Sequence, residues 1–288
     1  MTGASGFVGR HVLTQLQLHR IETIVVGRTC PIGFEGEFIE ADLLQPKIAE
    51  TVIRRTQPSH LMHLAWYAEH GQYWTSPLNL RWLEATVHLV EAFCAAGGKH
   101  VIVAGTCAEY DWSAGYCRED VTPLAPTTLY GIAKDATRRL IAAICDASNV
   151  PWAWGRIFLP YGPGEDNRRL IPSLIEVFKG RRTPFSVNAN AYRDFLHVED
   201  VANVFITLLK HNASGSFNVC SAQPVQIAEI VRLIAIFNND DPNRVLSLCS
   251  ERVGDPYLLV GDNKKITSLG WRPLYKLKDI MISGVSIK

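Results

Sequence analysis

Tyr130 and Lys134 stand four residues apart in the run Tyr130-Gly131-Ile132-Ala133-Lys134. On a helix that spacing puts both side chains on one face. An ammonium near a phenol lowers its pKa and makes it usable as a proton donor or acceptor near neutral pH. Thr106 closes an apolar run upstream, where its hydroxyl can bond a substrate oxygen and the phenol together. This is equipment for moving a proton at a hydroxyl or carbonyl. Alone, a Tyr and a Lys at this spacing usually form a solvent-facing pair, so the chemistry depends on what lies around them.

The decisive neighbour is at the start of the chain. Gly3, Gly6 and Gly9 have the spacing of a strand-to-helix turn that holds a dinucleotide pyrophosphate. Gly3 makes the tight turn, Gly6 lets phosphates approach the backbone, and Gly9 lets the helix pack close to the sheet. The first amides of that helix then face the anion. Only Met1 and Thr2 precede Gly3. The first, usually central, strand is therefore expected to be mostly missing, through a misplaced start or a shortened chain.

The elements that must position these residues alternate. Helical periodicity follows the glycines through Val8, Val12, Leu13 and Leu16. Strands are expected at 21–26, 37–41, 61–65, 100–104 and 152–158, and helices at 48–56, 79–96 and 127–148. Such alternation predicts a parallel sheet covered on both faces. The stretch 67–77, with Tyr67, His70, Tyr73 and Trp74, reads as a loop beyond a strand's carboxyl end, where ligands bind. Beyond Pro160 helices are expected at 170–179, 198–211 and 227–237, with strand character at 186–196, 215–219 and 245–248 and a last helical stretch after Pro273. An acidic residue about twenty positions past the glycines would mark NAD. Arg28 stands there instead, and a guanidinium suits a 2′-phosphate, so NADP is favoured over NAD.

Composition narrows the rest. With 288 residues the chain can bury a substantial core, and 29 basic against 28 acidic residues leave no electrostatic case for nucleic acid or an anionic membrane. The seven cysteines are scattered without a C-x-x-C pair, which suggests free thiols in a reducing cytosol and no zinc site. No apolar run is long enough to span a bilayer, and a cytoplasmic location is expected.

Taken in order, the motifs resemble the extended short-chain dehydrogenase/reductases that act on nucleotide sugars, the NAD-dependent epimerase/dehydratase family. The matching pieces are T-G-A-S-G-F-V-G at 2–9, A-D-L at 41–43, H-L-A at 63–65, G-T-C-A-E-Y at 105–110 and Y-G-I-A-K at 130–134. They continue with G-R-I-F-L-P-Y-G-P-G-E at 155–165, Y-R-D-F-L-H-V-E-D-V-A at 192–202, F-N-V at 217–219, R-V-G-D-P at 252–256 and L-G-W-R-P at 269–273. The resemblance implies an α/β fold, a doubly wound parallel Rossmann sheet with its first strand truncated, and a smaller mixed α/β substrate lid. The dinucleotide domain would span 1–160, with 192–212 returning to it, and the lid 161–288.

The resemblance also implies roles. Thr106, Tyr130 and Lys134 would be the catalytic triad. Gly3, Ser5, Gly6, Phe7, Val8, Gly9 and Arg28 would hold the dinucleotide, with Asp42 and Leu43 at the adenine. Leu64, Ala65 and Ile157 would line its cleft, shared with Tyr130 and Lys134. Arg193 and Arg252 would bind the substrate diphosphate, and Tyr67 and Cys107 would lie at the substrate. Dehydratases of this kind follow the Thr with Asp-Glu, whereas Cys107 and Ala108 stand here, so dehydration is not expected. Cys107 is expected to be an ordinary core cysteine.

The reading that follows is an NADPH-dependent reduction of a nucleotide-diphospho-4-keto-6-deoxyhexose, with Tyr130 as proton donor. The alternative is a nucleotide-sugar 4-epimerase holding NAD tightly; a third reading is a dinucleotide-binding protein without catalysis. Helices 79–96 and 127–148 resemble the family's dimer helices, so a homodimer is expected. No metal is expected.

Overall fold

A computed structural model describes residues 1–251 and 254–277. In chain order the first part carries α1 (Phe7–Leu18), β1 (Val25–Gly27), β2 (Phe38–Glu40), α2 (Ile48–Thr56), β3 (His60–His63), α3 (Leu78–Ala95), β4 (His100–Thr106), β5 (Tyr116–Cys117), α4 (Leu129–Ala147) and β6 (Trp152–Ile157). Then follow β7 (Leu159–Tyr161), α5 (Leu170–Phe178), β8 (Tyr192–His197), α6 (Val198–Lys210), β9 (Gly215–Val219), β10 (Pro224–Gln226), α7 (Ile227–Phe237), α8 (Asn243–Leu246), β11 (Leu258–Gly261) and α9 (Lys264–Ser268).

The main sheet is parallel. β3, β4, β6 and β9 pair in that order, and β1 pairs with β2. Thr2 joins the two groups, bridging to Val26 on one side and His63 on the other. The expected first strand is thus present as a single central bridge. A buried imidazole reinforces it: His63 Nδ1 lies 2.8 Å from Thr2 Oγ1, and its Nε2 lies 3.0 Å from Thr86 Oγ1 on α3. Burial pushes the His63 pKa down to about 3, so the ring is a neutral link. From Thr2 the chain builds outward first to β1 and β2, then to β3 and beyond. The crevice between Thr2 and β3 is therefore the switch point at which such sheets bind ligands.

Helices cover both faces. α1 packs on α6, burying Val12 and Leu16 with Val201, Phe205 and Leu208. On the other face α2, α3 and α4 bury Val52, Ile53, Leu89, Val90, Phe93 and Ile141 around Trp154. A second sheet runs β10–β8–β11–β5, with β7 also on β8. Its helices α5 and α7 share a core of Leu174, Val177, Ile230 and Ile234. No helix among the described residues is long and apolar enough to cross a membrane.

Three expectations need correcting. The stretch 186–191 is not strand, although Val187, Ala189 and Ala191 are buried in alternation. Alternation there reports which residues face the core; the Val187, Ala189 and Ala191 carbonyls take only single bonds among the described residues, from the amides of Ser250, Ala228 and Ile227. Residues 245–248 are not strand either, because Asn243–Leu246 form the short helix α8. Of 21–26 only Val25 and Val26 enter β1, which pairs with β2 on one side while Val26 N donates to Met1 O at 2.9 Å on the other. Of the helical stretch expected after Pro273, the residues through Lys276 are irregular, Leu277 is helical, and 278–288 lie outside the described residues.

Asp194 on β8 ties the second sheet together. Its buried carboxylate accepts from the backbone amides of Ser221 (2.7 Å), Ala222 (3.0 Å) and Gly261 (3.1 Å), and from Ser221 Oγ (2.7 Å). Removing it leaves these donors buried without an acceptor. D194A is expected to lower the unfolding free energy by about 3 kcal/mol or more, read as a fall in the urea midpoint. A loss below about 1 kcal/mol would show that the carboxylate does not hold the sheet.

Candidate active site

Thr106 ends β4 and opens a single tight turn, Cys107–Glu109. Its Oγ1 accepts from the Ala108 amide at 3.2 Å, while Glu109 Oε1 accepts from the Thr106 amide at 2.8 Å. This reciprocal cap fixes the Thr106 side chain. The Glu109 carboxylate is fully buried and also accepts from Trp154 Nε1 at 2.8 Å and Arg156 Nε at 2.7 Å, both on β6. Helix α4 settles onto this turn. A Cβ on Gly131 would come within 2.3 Å of the Ala108 carbonyl oxygen, so only glycine lets α4 approach this closely. That approach brings Tyr130 to Thr106.

Tyr130 is half-buried in an aromatic enclosure. Tyr73 and Trp74 meet its ring edge-on, at 4.9 and 5.7 Å between centroids, and its amide donates to the Trp74 carbonyl at 3.1 Å. The aromatic loop after β3 therefore folds over the phenol. Burial pushes the Tyr130 pKa up, Tyr73 adds to the rise, and the Thr106 hydroxyl offsets part of it by hydrogen bonding. Lys134, one turn on, is almost wholly buried. Its Nζ donates to the Ala104 carbonyl at 2.8 Å and lies 3.8 Å from the Trp66 ring centre. Burial lowers its pKa to about 7, with Glu109 acting against the fall. The expected lowering of the phenol by this ammonium is thus not seen. Desolvation dominates Tyr130, and the ammonium is engaged by a carbonyl and an indole.

These groups face a cavity of about 500 Å³ at the switch point. Gly3, Gly6, Phe7, Val8 and Gly9 line it from the turn and α1, and Leu64 and Ile157 from strand ends. Thr106, Cys107, Tyr130, Lys134 and Arg193 complete the expected residues found there. Ser5, Arg28, Asp42, Leu43, Ala65 and Tyr67 are not among its lining residues. Arg28 and Ser5 are exposed, Leu43 is in the core, and Tyr67 bonds Gln72. Asp42 uses its carboxylate on the Leu44 amide at 3.1 Å. Ala65 serves as backbone against Gly3, where a Cβ would meet its nitrogen at 2.5 Å. Arg193 is already paired, with Asp255 at 2.5 Å and the Tyr192 and Pro256 carbonyls at 2.8 and 2.7 Å. Arg252 lies outside the described residues. Burial raises the Cys107 thiol's pKa, which fits a core cysteine and not a thiolate.

The turn fits a dinucleotide pyrophosphate. Gly3 has φ +74°, the left-handed region, and a Cβ on Gly9 would lie 1.9 Å from the Gly3 carbonyl oxygen. Helix α1 opens at Gly6 with no side chain capping it and no acidic residue in its first turn, so its first amides are free for an anion.

A sequence profile described as the NAD dependent epimerase/dehydratase family matches residues 1–220. The chain is an enzyme of that family. It is similar to a UDP-glucose 4-epimerase of Lacticaseibacillus casei, 24% identical over 302 residues, covering 95% of this chain and 91% of that protein. It is also similar to a dTDP-6-deoxy-L-talose 4-dehydrogenase (NAD(+)) of Aggregatibacter actinomycetemcomitans, 25% identical, covering 80% of this chain and 87% of that protein. Among solved structures, MoeE5 in complex with UDP-glucose and NAD superposes with a TM-score of 0.85 at 27% identity, covering 99% of this chain and 96% of MoeE5.

Within this epimerase/dehydratase cleft lie residues the sequence reading did not single out. Glu109 and Trp66 support Thr106 and Lys134. Glu165 and Arg169 line the cavity beside Tyr73. The motif runs passed through both Glu109 and Glu165, but nothing local marks a buried carboxylate: Glu109's partner Arg156 is 47 residues away.

The Lys134 shift yields a test with a definite sign. Its folded-state pKa of about 7 lies below the ordinary 10.5, so between those values the unfolded chain holds more protons, and this group's contribution to stability rises with pH. K134M is expected to lose turnover by roughly 100-fold or more. It should also flatten the stability gain from pH 7.5 to 9 by roughly 1 kcal/mol per pH unit. Parallel stability curves for the two proteins would contradict the buried ammonium.

Proposed function

We propose that this enzyme is a nucleotide-sugar 4-epimerase working with tightly held NAD. The observation that carries the reading is the meeting of Thr106, Tyr130 and Lys134 at one cavity floored by the glycine turn, with Cys107 and Ala108 where a dehydratase would need carboxylates. The sugar-nucleotide relatives support it, as does the NAD in the MoeE5 complex. Arg28, the argument for NADP, is exposed and stands apart from the cavity's lining residues. In this reading the main sheet holds the cofactor, and residues from 161 onward, with Arg193, hold the substrate. A cytoplasmic location belongs to it as well.

Bound NAD would supply reversible oxidation at the sugar's carbon 4. The chain's own residues handle the proton. Thr106 Oγ1, fixed by the Ala108 amide, orients the sugar oxygen. Tyr130 takes the proton from that oxygen when the sugar is oxidised and returns it when the keto group is reduced, so its phenolate is the form that starts the cycle, while burial favours the neutral phenol in the ligand-free cleft. Lys134, four residues along α4 and balanced between charged and neutral near pH 7, tunes the exchange. Tyr73 and Trp74 keep water from the phenol.

A second reading, the 4-ketoreductase, is favoured by the similarity to the dTDP-sugar 4-dehydrogenase. UDP-glucose incubated with the NAD-loaded enzyme is expected to yield UDP-galactose with no change in absorbance of added NADPH. Stoichiometric loss of NADPH on a 4-keto sugar nucleotide, without interconversion, would overturn the epimerase reading in favour of the reductase. We also propose a homodimer through α3 and α4, which expose Leu80 (54%), Ile132 (49%) and Leu140 (44%). Sedimentation should give a dimer mass, and a monomer mass at micromolar concentration would refute it.

A further inference from the structure

Glu165 sits on the turn between β7 and α5 and lines the cavity. Its Oε2 is shut off from solvent and has no hydrogen-bond partner. The carboxyl is otherwise held by the Gly162 amide and faces Arg169. A buried acceptor left without a partner costs free energy comparable to a lost hydrogen bond, and native folds rarely keep one without a reason. Burial raises the Glu165 pKa to about 8, so near neutral pH it can donate as well as accept.

Its neighbours say which ligand would complete it. Arg169 reaches Tyr73 by a side-chain hydrogen bond, and Tyr73 stands 4.9 Å from the Tyr130 ring, so Glu165 belongs to the wall near the reacting oxygen. The turn is anchored on the far side to α1, where His11 Nε2 meets the Pro163 carbonyl at 2.9 Å. A hydroxyl can both give and receive a hydrogen bond at such a carboxyl.

We propose that Glu165 is a glycosyl-recognition residue, whose free carboxyl oxygen takes a hydroxyl of the hexosyl group while Arg169 holds the carboxyl in place. This rests on the nucleotide-sugar reading above and adds to it the residue that reads the sugar. Arg169 is a positioning residue in this scheme.

The test compares UDP with UDP-glucose on the NAD-loaded protein by titration calorimetry, alongside UDP-glucose conversion. E165A is expected to weaken UDP-glucose binding roughly 10-fold or more and UDP binding less than about twofold. E165Q, which keeps a donor and an acceptor without titrating, should stay within about threefold of wild type for both. Equal weakening of UDP and UDP-glucose by E165A, loss of NAD, or unchanged UDP-glucose binding would overturn the assignment while wild-type conversion keeps the epimerase reading intact. A wild type that neither binds nor converts UDP-glucose would defeat that reading and this one together.

Discussion

The Lys134 ammonium is held out of water by one carbonyl, 2.8 Å away on Ala104, and one indole face, 3.8 Å away on Trp66. Two such contacts do not replace full hydration, and its pKa falls to about 7 as a result. The same desolvation raises the phenol one turn earlier on α4. The site therefore drives two pKa values apart, the amine downward and the phenol upward. An amine that would always be charged becomes switchable, and the ligand-free phenol is kept neutral. Glu109, buried behind both, limits how far the ammonium falls and fixes the Thr106 turn in the same stroke.

That arrangement depends on three places where backbone or ring meets a residue with no side chain. Gly9 admits the carbonyl of Gly3, Gly131 admits the carbonyl of Ala108, and Gly105 admits the indole nitrogen of Trp154, which would lie 2.0 Å from a Cβ. The first sets α1 against the sheet. The second sets α4 on the Thr106 turn. The third lets Trp154 reach Glu109. Each converts a local absence of volume into the placement of a functional group elsewhere.

Much of this was legible because it is local. The helix α2 was readable to its ends, as the apolar repeat and Pro58 define it. Gly3, Gly6 and Gly9, and the pair Tyr130 and Lys134, announce themselves by spacing. What was not legible depends on distant partners. A short stretch such as Val245-Leu246-Ser247-Leu248 suits a strand or a helix equally, and here its first two residues end the helix α8. Arg28 carries the right charge at the right distance along the chain and lies exposed just past β1, where spacing alone does not say what it meets. Glu109 looks like an ordinary surface acid until β6 brings Arg156 to it.

Substitution of Tyr130 by phenylalanine tests the central claim most directly, since it removes one oxygen and leaves the aromatic enclosure in place. The NAD-loaded Y130F protein should bind UDP-glucose much as wild type does, and its rate of interconversion should fall roughly 100- to 10,000-fold. Turnover at the wild-type rate would show that the proton passes through some other group, and the account of this cleft would be wrong.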